Sequence, residues 1–321
     1  MSKLKKIFIA GGAGFIGSHL SHSFTELGHE VMVYDGNIQY FYPASKLSIK
    51  SINYRQNILL KDCKIVRGST LDISDLRRNI IEFKPDYIIN LAALPLAVTA
   101  VKNSEEAFKS ILNSTHNFME ILRDINFCSK YVHISSSMVY GDFQSNPNPE
   151  DASKNPKEIY GSIKLASEYI VKGYAQRYAI NTAIIRPSAV YGPTDCNYRV
   201  LQIFLEAAIN NQEIIANNPE SNFLDFTYVK DIALGINKIT LNETANMECF
   251  NVTYGNARSL NDVLNILNSH FKNLKFKVTN KSGFYPKRGT LDISKAKKIV
   301  DFKPQYNLED GIREYIDFLK S

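Results

Sequence analysis

The sequence predicts a doubly wound α/β fold: a parallel sheet covered by helices on both faces, followed by a smaller C-terminal region. Two observations predict it. Short continuous apolar runs alternate with segments of helical periodicity from residue 7 to about residue 187, and the first run opens directly into the glycine-rich stretch Gly11-Gly12-Ala13-Gly14-Phe15-Ile16-Gly17. Apolar runs that do not alternate with polar residues are what burial on both faces of a parallel sheet produces. Strands that alternate with helices, rather than clustering in blocks, belong to the α/β class.

In order, the pattern predicts a strand over 7–10, a helix over 15–27 and a strand over 31–35. A long polar and aromatic loop, with Tyr40, Phe41, Tyr42 and Tyr54, then runs over 36–62. The alternation resumes with a strand over 64–68, a helix over 73–83, a strand over 87–92, a helix over 104–125, a strand over 131–136, a helix over 158–178 and a strand over 182–187. After Pro187 it stops, and Tyr191-Gly192-Pro193-Thr194-Asp195 is a turn-rich break. The expected division is a dinucleotide-binding domain over 1–186 and a substrate-binding region over 187–321, with part of 223–252 returning to the first domain.

With 321 residues, 44% of them hydrophobic and 22% charged, the chain has the composition of a globular protein with a sizeable core. No stretch approaches the roughly 20 consecutive apolar residues of a membrane helix. The first strand-like run begins almost at Met1, leaving no room for a signal peptide, so a cytoplasmic location is expected. Cys63, Cys128, Cys196 and Cys249 are scattered without the spacing of a metal site or a disulfide framework. The net charge of +6 is spread along the chain, apart from Lys3, Lys5 and Lys6 and from Lys295, Lys297 and Lys298. That distribution reads as solvated faces, not a nucleic-acid surface, and it suits an anionic small substrate.

The glycine stretch carries the first chemical signal. Gly11 permits a tight turn, Gly14 lets backbone approach a pyrophosphate, and Gly17 lets the following helix pack close to the strand. The free N–H groups and positive end of that helix then face the phosphates. Asp35 ends the second strand, where a carboxylate accepts hydrogen bonds from ribose hydroxyls and repels a 2′-phosphate, which favours NAD over NADP.

The second signal is Tyr160-Gly161-Ser162-Ile163-Lys164 at the start of a predicted helix, where residues four apart share a face. A phenol is a poor base at neutral pH, and an adjacent ammonium favours its ionised form. Ser136, at the end of the fifth strand, is positioned to bond the oxygen that Tyr160 deprotonates. A decoy with the same spacing, Tyr42 and Lys46, has Pro43 between its members and no serine-tipped strand before it.

These residues, with Asn90-Leu91-Ala92-Ala93, Ser135-Ser136-Ser137-Met138-Val139-Tyr140-Gly141, Arg186-Pro187-Ser188-Ala189-Val190-Tyr191-Gly192-Pro193 and Asp225-Phe226-Thr227-Tyr228-Val229-Lys230-Asp231, resemble the extended short-chain dehydrogenase/reductase family, in its nucleotide-sugar epimerase and dehydratase branch. The resemblance spans nearly the whole chain. It implies a Rossmann domain with a small substrate domain, NAD as cofactor, a nucleotide-diphosphate sugar as substrate, and a homodimer joined through the 104–125 and 158–178 helices. It also implies Ser136, Tyr160 and Lys164 as the catalytic residues. Cofactor contacts would come from Gly11, Gly14, Phe15, Ile16, Gly17, Asp35, Ser69, Thr70, Leu91, Ala92, Ala93, Tyr160, Lys164 and Pro187. Substrate contacts would come from Ser136, Ser137, Tyr160, Arg199 and Arg288.

Within that branch, dehydratases carry an Asp-Glu pair at the places of Ser137 and Met138, and decarboxylases usually a Glu at the second. Met138 transfers no proton, so the resemblance points to hydride chemistry alone, a 4-epimerase passing through a transient 4-keto sugar. A dehydrogenase or reductase built on the same residues is the alternative, and a non-catalytic NAD sensor is disfavoured by the intact Ser136, Tyr160 and Lys164. The chain also departs from the family. Ser69 stands where an Asp usually reaches the adenine amine. Ala189 and Leu224 replace an Asn and an Arg that bind the sugar nucleotide's diphosphate in many members. Loss of a charge-assisted contact costs about 1.5–3 kcal/mol unless another cation compensates; Arg288 and Arg199 are the candidates.

Overall fold

The structure, a computed structural model, describes residues 4–38, 40, 45–280 and 286–321. Seven strands form one parallel sheet in the order Glu248–Val252, Thr182–Pro187, Lys130–Ile134, Tyr87–Asn90, Lys6–Ala10, Glu30–Asp35, Lys64–Arg67. Ile9 is in register with Val33 on one side and Ile89 on the other. The chain winds outward in one direction from Lys6–Ala10 and then in the other from Tyr87–Asn90. Between those two strands lies the switch point, where open sheets of this class bind ligands beyond the strands' carboxyl ends. This is the predicted doubly wound sheet.

Apolar cores lie on both faces. On one, Ile7, Ile9, Val31 and Val33 meet Phe15, Leu20 and Phe24 of the Phe15–Glu26 helix and Ile232 and Ile236 of the Val229–Leu241 helix. On the other, Phe8, Met32, Tyr34 and Ile88 meet Leu76, Ile80 and Phe118. The last strand comes from late in the chain: Phe250 pairs with Ile185 at the sheet edge. A separate core joins Leu201, Phe204 and Leu205 of the Val200–Ile209 helix to Val263, Leu264, Ile312 and Tyr315 of the Leu260–His270 and Leu308–Lys320 helices. Ser259 and Asp262 form a reciprocal capping box at the start of the second of these.

Several local expectations differ from the structure, among them the strand expected over 87–92, which ends at Asn90. The 36–62 segment is not a loop throughout: a helix over Lys46–Tyr54 continues into a π-helical turn over Arg55–Leu59. Ser45 caps it, its side chain accepting from the Ser48 N–H at 3.0 Å. Tyr54 then meets Phe318 edge-on at 5.2 Å, and Lys50 donates to the Phe318 carbonyl at 2.6 Å. Tertiary packing on the last helix stabilises a segment whose polar sequence reads as loop. Phe41 and Tyr42 lie outside the described residues, and Tyr40 bonds Glu106 at 3.4 Å.

The helix predicted over 104–125 is interrupted by a π-helical stretch at Phe108–Asn113 and ends at Leu122. The fifth strand stops at Ile134, so Ser136 lies past its end and begins a 3₁₀ turn over Ser137–Tyr140. Among the described residues no helix is long and apolar enough to cross a membrane. Among them, too, no group of three or more His, Cys, Asp and Glu side chains is arranged to hold a metal.

Candidate active site

A cleft of about 660 Å³ opens at the carboxyl ends of the strands. Its floor is the glycine turn. Gly11 has φ +74°, and a Cβ there would lie 2.7 Å from the Ala92 nitrogen. A Cβ on Gly17 would lie 2.2 Å from the Gly11 carbonyl oxygen. Both positions therefore exclude any side chain, and the chain is drawn into a cradle of bare backbone. Gly14 caps the Phe15–Glu26 helix without a side-chain bond, and the first turn contains no acid. Its N–H groups, with Phe15, Ile16 and Gly17 on the cleft wall, retain the donors that an anion requires.

Asp35 ends its strand at this wall. Its carboxylate accepts from the Ala13 N–H at 2.9 Å and from the Asn37 N–H at 2.7 Å. The side chain thus fastens the glycine turn to the strand end while still facing the cleft. Ser69, Thr70, Leu91, Ala92, Ala93 and Pro187 line the same space. A cradle closed to side chains, a helix start free of acids and a carboxylate at the next strand end together fit a dinucleotide.

Tyr160 and Lys164 stand on the first turns of the Ile159–Tyr178 helix and both line the cleft. Three side chains on one face of this helix tie it to the sheet. The Lys164 ammonium donates to the Ile134 carbonyl at 2.7 Å, Ser167 bonds His133 at 2.8 Å, and Glu168 accepts from Ser135 Oγ at 2.6 Å. Lys164 Nζ lies 5.8 Å from the centre of the Tyr160 ring. Burial pushes the Lys164 ammonium down to about 8, while the Glu168 carboxylate holds it up.

Burial pushes the Tyr160 phenol up to about 12, and the charge that opposes this is Arg199. The sequence assigns the tuning to Lys164, whose ammonium is directed at the Ile134 carbonyl. Ser136 is half-buried and extended, and its Oγ accepts from the Met138 N–H at 3.2 Å.

Ser137 does not reach the cleft. The 3₁₀ turn that starts beside Ser136 carries it inward, where it is 2% exposed, and Met138 lines the cleft instead. The expected substrate contact at Ser137 is therefore corrected.

Arg199 and Arg288 both face the cleft. The first forms an ion pair with the buried Asp195 at 2.5 Å and lies 5.3 Å from the Phe15 ring centre. The second is half-buried, and burial lowers its pKa to about 10 against the opposing pull of Glu158. Leu224 and Ala189, whose side chains are apolar, line the same cleft.

Among the charged lining residues that the sequence reading did not assign to the site are Glu158 and Arg55. Glu158, just before the Ile159–Tyr178 helix, is half-buried with its pKa raised by burial and opposed by Arg288. Arg55 reaches the wall from the helix at 46–59. A faint signal for it existed in Ile52, Arg55 and Leu59, three and four residues apart behind a serine cap.

Residues 8–315 match the family model described as GDP-mannose 4,6 dehydratase. The chain belongs to that family. As a member of the GDP-mannose 4,6-dehydratase family it is an enzyme of the extended short-chain dehydrogenase/reductase type, as its motifs implied. It is 28% identical to Protein CapI of Staphylococcus aureus, with 98% of each chain covered. It is 27% identical to a putative UDP-glucose 4-epimerase of Methanocaldococcus jannaschii, again over 98% of each. Among solved structures it is similar to the UDP-glucuronic acid 4-epimerase of Bacillus cereus in complex with UDP-glucuronic acid and NAD. That likeness has a TM-score of 0.88 and 25% identity, and covers 98% of this chain and 99% of that one. These relatives fix the epimerase/dehydratase family, not a single reaction within it.

Proposed function

We propose that this family member is an NAD-dependent nucleotide-sugar 4-epimerase. The observation that carries the reading is the wall beside Tyr160. The 137–138 position, where an elimination needs an acid and a base, offers the cleft only the Met138 side chain, because Ser137 is buried. A thioether neither gives nor takes a proton, so the site's proton chemistry centres on one phenol.

The glycine turn, the first-turn N–H groups and Asp35 would hold the dinucleotide, with Thr70, Leu91, Ala92, Ala93 and Pro187 packed against it. Bound NAD supplies a hydride acceptor that becomes the donor in the return step. Tyr160 takes the proton of the sugar's 4-hydroxyl and gives it back when the ketone is reduced on its opposite face. Ser136 shares the bond to that oxygen. Lys164, anchored on Ile134, keeps positive charge beside the phenolate as it forms. Arg288 is the cation offered to the nucleotide's diphosphate in place of the arginine that Leu224 displaces.

Incubation with UDP-, GDP- and dTDP-hexoses tests the proposal. A change of configuration at the fourth carbon, with no loss of mass and no accumulation of NADH, is expected. Stoichiometric NADH would mean a dehydrogenase. Glu158 favours a second reading, because a carboxylate in the same cleft could serve a dehydration; a product lighter by one water would establish it.

We also propose a homodimer. The helices implied as its interface leave Phe108, Tyr169 and Tyr178 exposed, large rings that a subunit contact would cover. Light scattering is expected to give twice the chain mass, and a monomer mass would refute this.

A further inference from the structure

Arg55 is 7% exposed and lines the cleft beside the glycine turn. Its guanidinium donates through Nε to the Ser51 carbonyl at 3.3 Å, through Nη1 to the Ala13 carbonyl at 3.1 Å and through Nη2 to Cys196 Sγ at 3.3 Å. None of these partners carries a negative charge. The Cys196 thiol is pushed up by burial, so it remains protonated at neutral pH. No carboxylate of the described residues forms an ion pair with Arg55, and the remaining residues contain no Asp or Glu.

A guanidinium has five N–H donors; the three bonds above leave two. A buried cation without a counter-charge is costly, and proteins retain one where a ligand supplies the anion. This one rests on the carbonyl of Ala13, inside the turn whose backbone is bare, next to a helix start that lacks any acid. Two independent anion-favouring features therefore converge on one part of the cleft.

We infer that Arg55 is the side-chain cation for the diphosphate of the bound dinucleotide. The assignment rests on the dinucleotide reading of the glycine turn and extends it to a residue far from the motif. A sugar nucleotide also carries a diphosphate, but contact with Ala13 ties Arg55 to the cofactor's. The planar fork matches two phosphate oxygens at once, which a lysine cannot do.

Calorimetric titration of nucleotide-free protein with ADP-ribose, adenosine and UDP tests this in wild type, Arg55→Met and Arg55→Lys. The methionine variant should lose tenfold or more in ADP-ribose affinity, as the removal of a charge-assisted bond predicts at about 1.4 kcal/mol per tenfold. Its adenosine and UDP affinities should stay unchanged. The lysine variant should lie between, and wild-type ADP-ribose binding should weaken with salt more steeply than adenosine binding.

Unchanged ADP-ribose affinity in the variants would overturn the assignment. So would equal losses for all three ligands, which would make Arg55 a scaffold residue, or a loss confined to UDP, which would transfer it to the substrate. If the methionine variant does not fold, the lysine variant and the salt dependence decide alone. Failure of wild type to bind ADP-ribose would instead overturn the dinucleotide reading itself.

Discussion

The Glu168 carboxylate takes two hydrogen bonds from the Arg186 guanidinium, at 2.8 and 2.6 Å, where neither side chain meets solvent. The same carboxylate accepts from Ser135 and raises the pKa of Lys164. One buried ion pair therefore links a strand end, the serine run and the Ile159–Tyr178 helix. Removing one partner of such a pair leaves an uncompensated charge and costs about 3–5 kcal/mol. Glu168→Gln should lower the melting temperature accordingly. It should also let the Lys164 pKa fall below about 8, so that activity at neutral pH drops and recovers toward lower pH. A rate–pH profile no different from wild type would separate Glu168 from Lys164.

Tyr160→Phe should reduce turnover by about 10²–10⁴ while sugar-nucleotide binding persists. In the wild type the phenol is protonated at neutral pH, its pKa being pushed up to about 12 with Arg199 pulling against burial. Loss of that pull in Arg199→Met should move the rising limb of the kcat/KM profile to higher pH. A limb that stays in place would exclude Arg199 from tuning the phenol.

Lys164 has a pKa of about 8 in the folded protein and about 10.4 when unfolded. The unfolded chain binds more protons between those values, so this group's contribution to stability rises as pH increases through that window. Below about 8 the folded state carries the full cost of a buried ammonium, on the order of 3 kcal/mol. Compared with Lys164→Met, the wild type should therefore gain stability between pH 8 and 10, measured by denaturant unfolding. A flat difference would mean the ammonium is solvated.

Gly17→Ala should abolish cofactor retention, because the added carbon would lie 2.2 Å from Gly11 O and 2.7 Å from Gly12 Cα. Backbone rather than a flexible side chain is in the way, so the turn itself has to move. Absorbance of nucleotide released on denaturation checks this, and a wild-type yield would show that the turn tolerates the change.

Much of the site was legible because its signals are local. Gly11 and Gly17 are required by backbone sterics within a few residues, and the apolar strands announce their burial by composition. Tyr160 and Lys164 share a helix face by spacing alone, and both line the cleft. Ser137 was misread because a 3₁₀ turn, not a continuing strand, follows Ser136, and that turn decides which serine faces the cleft.

Short-range sterics and periodicity thus specified the sheet order's raw material, the glycine cradle and the phenol–ammonium pair. Folding alone assigned each charge its partner. Lys164 meets Ile134 across 30 residues, Arg199 is committed to a carboxylate sealed behind it, and Arg55 reaches the glycine turn from a helix held by Phe318. Coulomb energy depends on distance and on exclusion of water, and neither quantity is encoded in sequence spacing once the chain doubles back on itself.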